Sequence, residues 1–129
     1  AGSDWCEVDG HTMESKVVPG IHILGDAIVA GDMPKSGFSA SSQGRVAALA
    51  IAALLDGKGA PSPSFINTCY SLVAPAYAIS VSGLYGGDED RLAAISEGTS
   101  PLIGDEALRA REARDFDVWY RSVTRDSFG

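Results

Sequence analysis

Residues 67–85 read NTCYSLVAPAYAISVSGLY, and the period of this stretch decides the fold. Tyr77, Ile79, Val81 and Tyr85 alternate with Ala78, Ser80, Ser82 and Leu84, large against mostly small. That two-residue repeat is the signature of a strand, whose successive side chains point to opposite faces. A second strand, roughly Asn67 to Val73, precedes it. Ala74-Pro75-Ala76 is short enough to join the two as an antiparallel pair.

Toward the C-terminus, Gly86-Gly87-Asp88 is expected to turn the chain and Arg91 to Ser96 to add a third short strand. Glu97 to Gly104, carrying Gly98, Pro101 and Gly104, reads as a loop. Asp105 is placed to cap a final helix along which Leu108, Phe116, Trp119 and Val123 recur at helical spacing. Arg109, Arg111, Arg114 and Asp115 fall on the other side of that helix. Toward the N-terminus, Ala60-Pro61-Ser62-Pro63-Ser64 is a stiff connector, and Asp56-Gly57-Lys58-Gly59 supplies a glycine stop before it. A division into residues 1–59 and 60–129 follows. Before the stop, Val46 to Leu55 has almost no polar face and predicts a buried helix. Ser36 to Gln43 offers several N-caps for it. Ile21 to Leu24 predicts a central strand covered on both faces and ended by Gly25-Asp26. The expected class is α+β: a strand and a buried helix, then a small sandwich of antiparallel strands and a C-terminal helix.

The chain has 129 residues, 45% of them apolar, and a formal net charge of −7; its mean hydropathy is +0.05. That composition suits a globular core. The longest apolar run, Val46 to Leu55, is about half of what a bilayer requires, so no membrane span is expected. Basic residues are scattered, without the clustered Lys/Arg footprint of a nucleic-acid binder. The opening AGSDWCEVDGHTMESK lacks the basic and apolar regions of a secretory signal and reads as the interior of a longer chain. Cys6 and Cys69 are too far apart for CxxC chemistry, and two histidines give a metal site little support.

Asp26 stands just past the end of the expected central strand, where open α/β sheets hold ligands. It follows Gly25, whose missing side chain lets a backbone approach. From the dipeptide alone, a strand-terminating turn is the favoured reading. Context strengthens the other: Pro34-Lys35-Ser36-Gly37 leads into a helix whose first amides and dipole stabilise negative charge, and Lys35 adds a full charge there. Cys69 taken alone reads as a small buried hydrophobe, Cys6 as a buried thiol, Trp119 and Tyr120 as core aromatics, and His22 as a hydrogen-bonded core histidine. Asp32 and the Asp88-Glu89-Asp90 cluster read as solvated turns.

GIHILGDA, MPKSGFSASSQGRVAA, FINTCYSLVAPAYAISVSGLY and the terminal WYRSVTRDSFG, in this order, resemble the C-terminal part of the flavoprotein subunit of flavocytochrome c sulfide dehydrogenase. The resemblance spans nearly the whole chain. It implies an FAD enzyme of disulfide-reductase type that oxidises sulfide and passes electrons to a c-type cytochrome subunit in the periplasm. Residues 1–59 would then complete an FAD-binding domain, and 60–129 would form a flavin-contacting interface domain. The same resemblance places Gly25 and Asp26 at the ribityl and phosphate portion of FAD and Pro34, Lys35, Ser36 and Gly37 near the flavin ring. Phe38 stands where a Tyr is expected, which removes a hydroxyl but retains stacking. Cys69 corresponds to one half of a redox-active disulfide whose partner lies in an N-terminal portion of the same protein, and Thr68 and Trp119 fall near the flavin. Two alternatives accompany this reading: a non-enzymatic module that docks a redox partner, and a sulfide:quinone-type flavoprotein. Apolar surface facing a missing half would also favour self-association of the isolated chain.

Overall fold

A computed structural model describes residues 4–129. The order is a short 3-10 turn at Gly25–Ala27, helix α1 (Gly37–Leu55), strands β1 (Phe65–Ala74), β2 (Tyr77–Gly87) and β3 (Leu92–Thr99), and helix α2 (Glu106–Phe128). The strands form one antiparallel sheet in the order β1-β2-β3. The expected strand pair, third strand and C-terminal helix are all present, and the class is α+β.

The chain divides into two compact units. Unit 1 comprises the residues up to Asn67 together with Gly83–Glu97, and unit 2 comprises Thr68–Ser82 and Gly98–Gly129. In unit 1, Met13, Ile28, Phe65, Tyr85 and Leu92 are at most 1% exposed and form one cluster with Val46 and Ala47 of α1. Burying each of the large side chains contributes about 1.5–3 kcal/mol. The loop before α1 joins the β3 end of this core, where the Asp32 amide donates to Leu92 O at 2.9 Å. Gly31, at φ +58°, leaves no room for a Cβ against Leu92 O. Asp32 is an exposed turn residue, as expected, and its carboxylate also accepts from the Ala94 amide at 3.1 Å and from Arg91 at 3.2 Å.

Several expectations need correction. Ile21 to Leu24 is not a strand. Only His22 makes a bridge, to Glu14, while Ile21 and Leu24 are exposed. The Ile21 carbonyl and Ile23 amide bond to Ser15 and Met13, so the segment folds against the preceding turn and gains no second ladder. Apolar character alone does not make a strand without paired backbone on its sides. The helix expected over Val46 to Leu55 runs from Gly37, so at 19 residues α1 is long and apolar enough to cross a membrane by length and composition. It is not buried all round. Ser39, Ser42, Gln43, Val46, Ala47 and Ala50, spaced i, i+3, i+4, i+7, i+8 and i+11, make one buried stripe, whereas Leu49 and Leu55 are 61% and 84% exposed. Polar members of that stripe hydrogen-bond within unit 1, as a helix packed on protein does. β3 continues to Thr99, shortening the expected loop after it, and β2 continues to Gly87. The turn between them is held by Asp88, whose carboxylate accepts from the amides of Asp90 and Arg91 at 2.8 and 2.9 Å. Cys6 is exposed rather than buried.

In unit 2, Asp105 caps α2 as expected, accepting from the Leu108 amide at 2.7 Å. Arg109 lies on the buried stripe and not the solvent face, at 2% exposure. On β2 the small Ala78 is fully buried, while Tyr77, Ile79 and Val81 remain exposed.

Candidate functional site

The first turn of α1 is built from polar groups that hold one another. Ser36 is the N-cap: its Oγ accepts from the Ser39 amide at 3.0 Å and donates to Asn67 Oδ1 at 2.6 Å. Ser39 Oγ donates to the same Asn67 oxygen at 3.1 Å, and Asn67 is 2% exposed. One buried amide on β1 thereby fixes where α1 begins. One turn further, Gln43 Oε1 accepts from the Gly25 amide at 2.7 Å. Gly25 has φ +73°, a conformation a side chain disfavours, and a Cβ added there would reach van der Waals contact with Ala40 of α1. The Gly25-Asp26 turn is therefore anchored on α1, with the Asp26 side chain exposed.

Lys35 completes this end of unit 1. Its Nζ donates to Asp26 O at 2.8 Å and stands 3.1 Å from the centroid of the Trp5 ring. Gly37 is exposed, and a Cβ added there would meet nothing within 4 Å. The helix dipole, the ammonium group and open space at Gly37 suit electron-rich ligand atoms, and the Asp26 carboxylate suits ligand hydroxyls. Gly25, Asp26, Pro34, Lys35, Ser36, Gly37 and Phe38 all belong to unit 1. Asn67, Gln43 and Trp5 were not singled out in the sequence. An Asn inside an otherwise apolar strand, and a Gln four residues after Ser39 on one helix face, are the signals that point to the first two.

Thr68, Cys69 and Trp119 belong to unit 2. Cys69 is a partly exposed thiol on β1. Its neighbours on either side point to the opposite face of the strand. Thr68 Oγ1 lies 3.0 Å from Ser82 Oγ, and Tyr70 packs against α2, with ring centroids 5.9 Å from Phe116 and 6.4 Å from Trp119. Alternation thus directs Cys69 to the face of β1 away from α2, and Trp119 lies on the α2 side. Burial, then the carboxylates of Asp115 and Glu112, push the Tyr70 phenol above its ordinary pKa. His22 in unit 1 is hydrogen-bonded as expected, with Nδ1 2.8 Å from Thr12 O, but it is half-buried and not a core residue.

The other polar cluster of unit 2 is charged. Arg109 Nη1 donates to Glu112 Oε2 at 3.1 Å, and Nη2 donates to Pro101 O. The opposite carboxylate oxygen accepts from Ser80 Oγ at 3.0 Å and from Ser100 Oγ. Burial acts to raise the Glu112 pKa, but the bonds from Ser100, Ser80 and Arg109 and the guanidinium charge outweigh it and hold the carboxyl below its usual range. This cluster ties α2 to β2 and to the segment before the helix.

The family model described as flavocytochrome c sulphide dehydrogenase, flavin-binding, matches residues 61–128. That span takes in all three strands and the whole of α2. A flavin-binding domain of this kind uses FAD. More than half of the sequence being matched, the chain belongs to the flavocytochrome c sulphide dehydrogenase flavin-binding family, and its cofactor is FAD.

Proposed function

We propose that this chain is the C-terminal portion of an FAD-dependent sulfide dehydrogenase. The observation that carries the reading is the family match over a segment in which Cys69 is a partly exposed thiol on the face of β1 away from α2. Residues 1–59 complete an FAD-binding domain, and residues 60–129 form the interface domain. Cys69 forms a disulfide with a cysteine in an N-terminal portion of the same protein. Hydrosulfide attacks one sulfur of that disulfide; a persulfide forms there and the other sulfur leaves as thiolate. When bound, FAD would supply the two-electron acceptor for this chemistry, with a c-type cytochrome subunit in the periplasm as the onward partner.

The chain's own residues bind and orient. Asp26 accepts from ribityl hydroxyls, the α1 terminus and Lys35 face the electron-rich edge of the ring system, and Phe38 stacks without offering a hydroxyl. Thr68 and Trp119 complete the contacts. Surface that meets the N-terminal portion makes the isolated chain self-associate.

Replacing Cys69 with Ser in the flavin-loaded protein is expected to abolish sulfide-dependent reduction of the flavin; intact sulfide oxidation would overturn the reading. Titrating FAD into the isolated chain tests the binding role separately. Saturable quenching of flavin fluorescence is expected, and its absence would favour a docking module instead.

A further inference from the structure

We infer that Trp5 is a positioning residue for the flavin, acting through Lys35. The inference rests on the reading that Lys35 stands at the flavin ring. Lys35 is exposed, and its flexible four-carbon stem would otherwise leave the ammonium group free to sample solvent. Two contacts restrain it. Asp26 O takes one N–H at 2.8 Å, and the Trp5 ring lies under Nζ at 3.1 Å from its centroid. An ammonium group has three N–H bonds, so these two contacts leave donor capacity for a ligand atom.

Trp5 is itself fixed through its neighbour. The Cys6 amide donates to Ala27 O at 2.8 Å, and the Val29 amide donates to Cys6 O at 2.9 Å. This short parallel pairing fastens the Trp5 segment to the turn that carries Asp26. The ring, the turn and the ammonium group thus form one assembly within unit 1. Trp5 is 51% exposed, so burial is not its main return; its face satisfies a cation. A positive charge held at one place beside an electron-rich ring favours the reduced flavin, whereas the same charge spread over many rotamers does so less.

The test compares flavin midpoint potentials of the FAD-loaded protein carrying Lys35→Met, Trp5→Leu, Trp5→Phe and the Lys35→Met/Trp5→Leu pair. Lys35→Met is expected to disfavour flavin reduction about tenfold, or about 30 mV for a two-electron couple. Trp5→Leu should reproduce at least half of that shift, Trp5→Phe should restore the parent value, and the pair should match Lys35→Met alone. A readout without FAD accompanies it: the Lys35 side-chain methylene protons of the isolated chain should show an upfield ring-current shift that Trp5→Leu abolishes and Trp5→Phe retains. If Lys35→Met shifts the potential and Trp5→Leu does not, the role of Trp5 is overturned and Lys35 keeps its place. If Lys35→Met leaves the potential unchanged, the placement of Lys35 at the flavin falls, and the role of Trp5 falls with it.

Discussion

The two units bury different kinds of polar group. Among the described residues, the buried polar ones of unit 1 are Ser39, Ser42, Gln43 and Asn67, all neutral, and those of unit 2 are Arg109 and Glu112, both charged. Neutral hydrogen bonds keep their strength across pH and cost little to desolvate when satisfied. A buried ion pair is different. Each charge loses hydration, and the pair holds only while both partners are present and ionised. Arg109 shows the difficulty: its Nε is buried with no hydrogen-bond partner, while Nη1 and Nη2 are both used. Unit 1 therefore keeps its geometry at the α1 terminus without depending on protonation, and unit 2 rests on a carboxylate that must stay ionised.

Removing the carboxylate should break this contrast most strongly. Glu112→Ala leaves the Arg109 charge buried without its counter-charge and is expected to cost about 3–5 kcal/mol in urea unfolding followed by circular dichroism. A cost below about 1 kcal/mol would mean that the pair is incidental. Acid comes next. The folded-state pKa of Glu112 lies below the ordinary value of 4.5, so the stability it contributes is complete above that value and is lost as pH falls through the lowered folded-state pKa. The parent should lose stability progressively below pH 4.5, and Glu112→Gln should flatten that part of the profile; parallel profiles would sink the assignment. The smallest effect belongs to unit 1. Asn67→Ala strands the Ser36 and Ser39 hydroxyls and is expected to cost about 1–3 kcal/mol. Its cost should be the same at pH 4 and pH 8, and a cost that changes between them would remove the distinction between the units.

Much of the fold was legible in the residues because local signals and final structure agree. The large-small alternation of Tyr77 to Val81 forms a strand, Asp105 caps α2, and the Pro75-Ala76 connection joins β1 to β2. Other features failed where pattern and partner part company. Ile21 to Leu24 is apolar enough for a central strand, yet its backbone pairs with the turn before it. Arginine is rarely buried, yet Arg109 stands two turns before Phe116 on the same stripe, where Glu112 and Pro101 O accept from its Nη1 and Nη2. The candidate site shows the same split. Ser36 and Lys35 are visible as a cap and a charge beside a helix start, whereas Asn67 and Trp5 reach them from 31 residues later and 30 residues earlier in the chain. No local window contains those contacts.

The interleaving of the two units has a consequence for synthesis on the ribosome. Thr68–Ser82 emerges before Gly83–Glu97, although only the later segment belongs to unit 1. Unit 1 cannot close when its first 67 residues are out; it must wait with Phe65 and α1 lacking Tyr85 and Leu92 until the chain has been extended to Glu97. During that interval the stretch destined for unit 2 is already exposed, Cys69 included, while α2 has yet to be made. The nascent chain therefore passes through a stage in which neither unit is complete and the Cys69 thiol is accessible, a point at which chaperone binding would act.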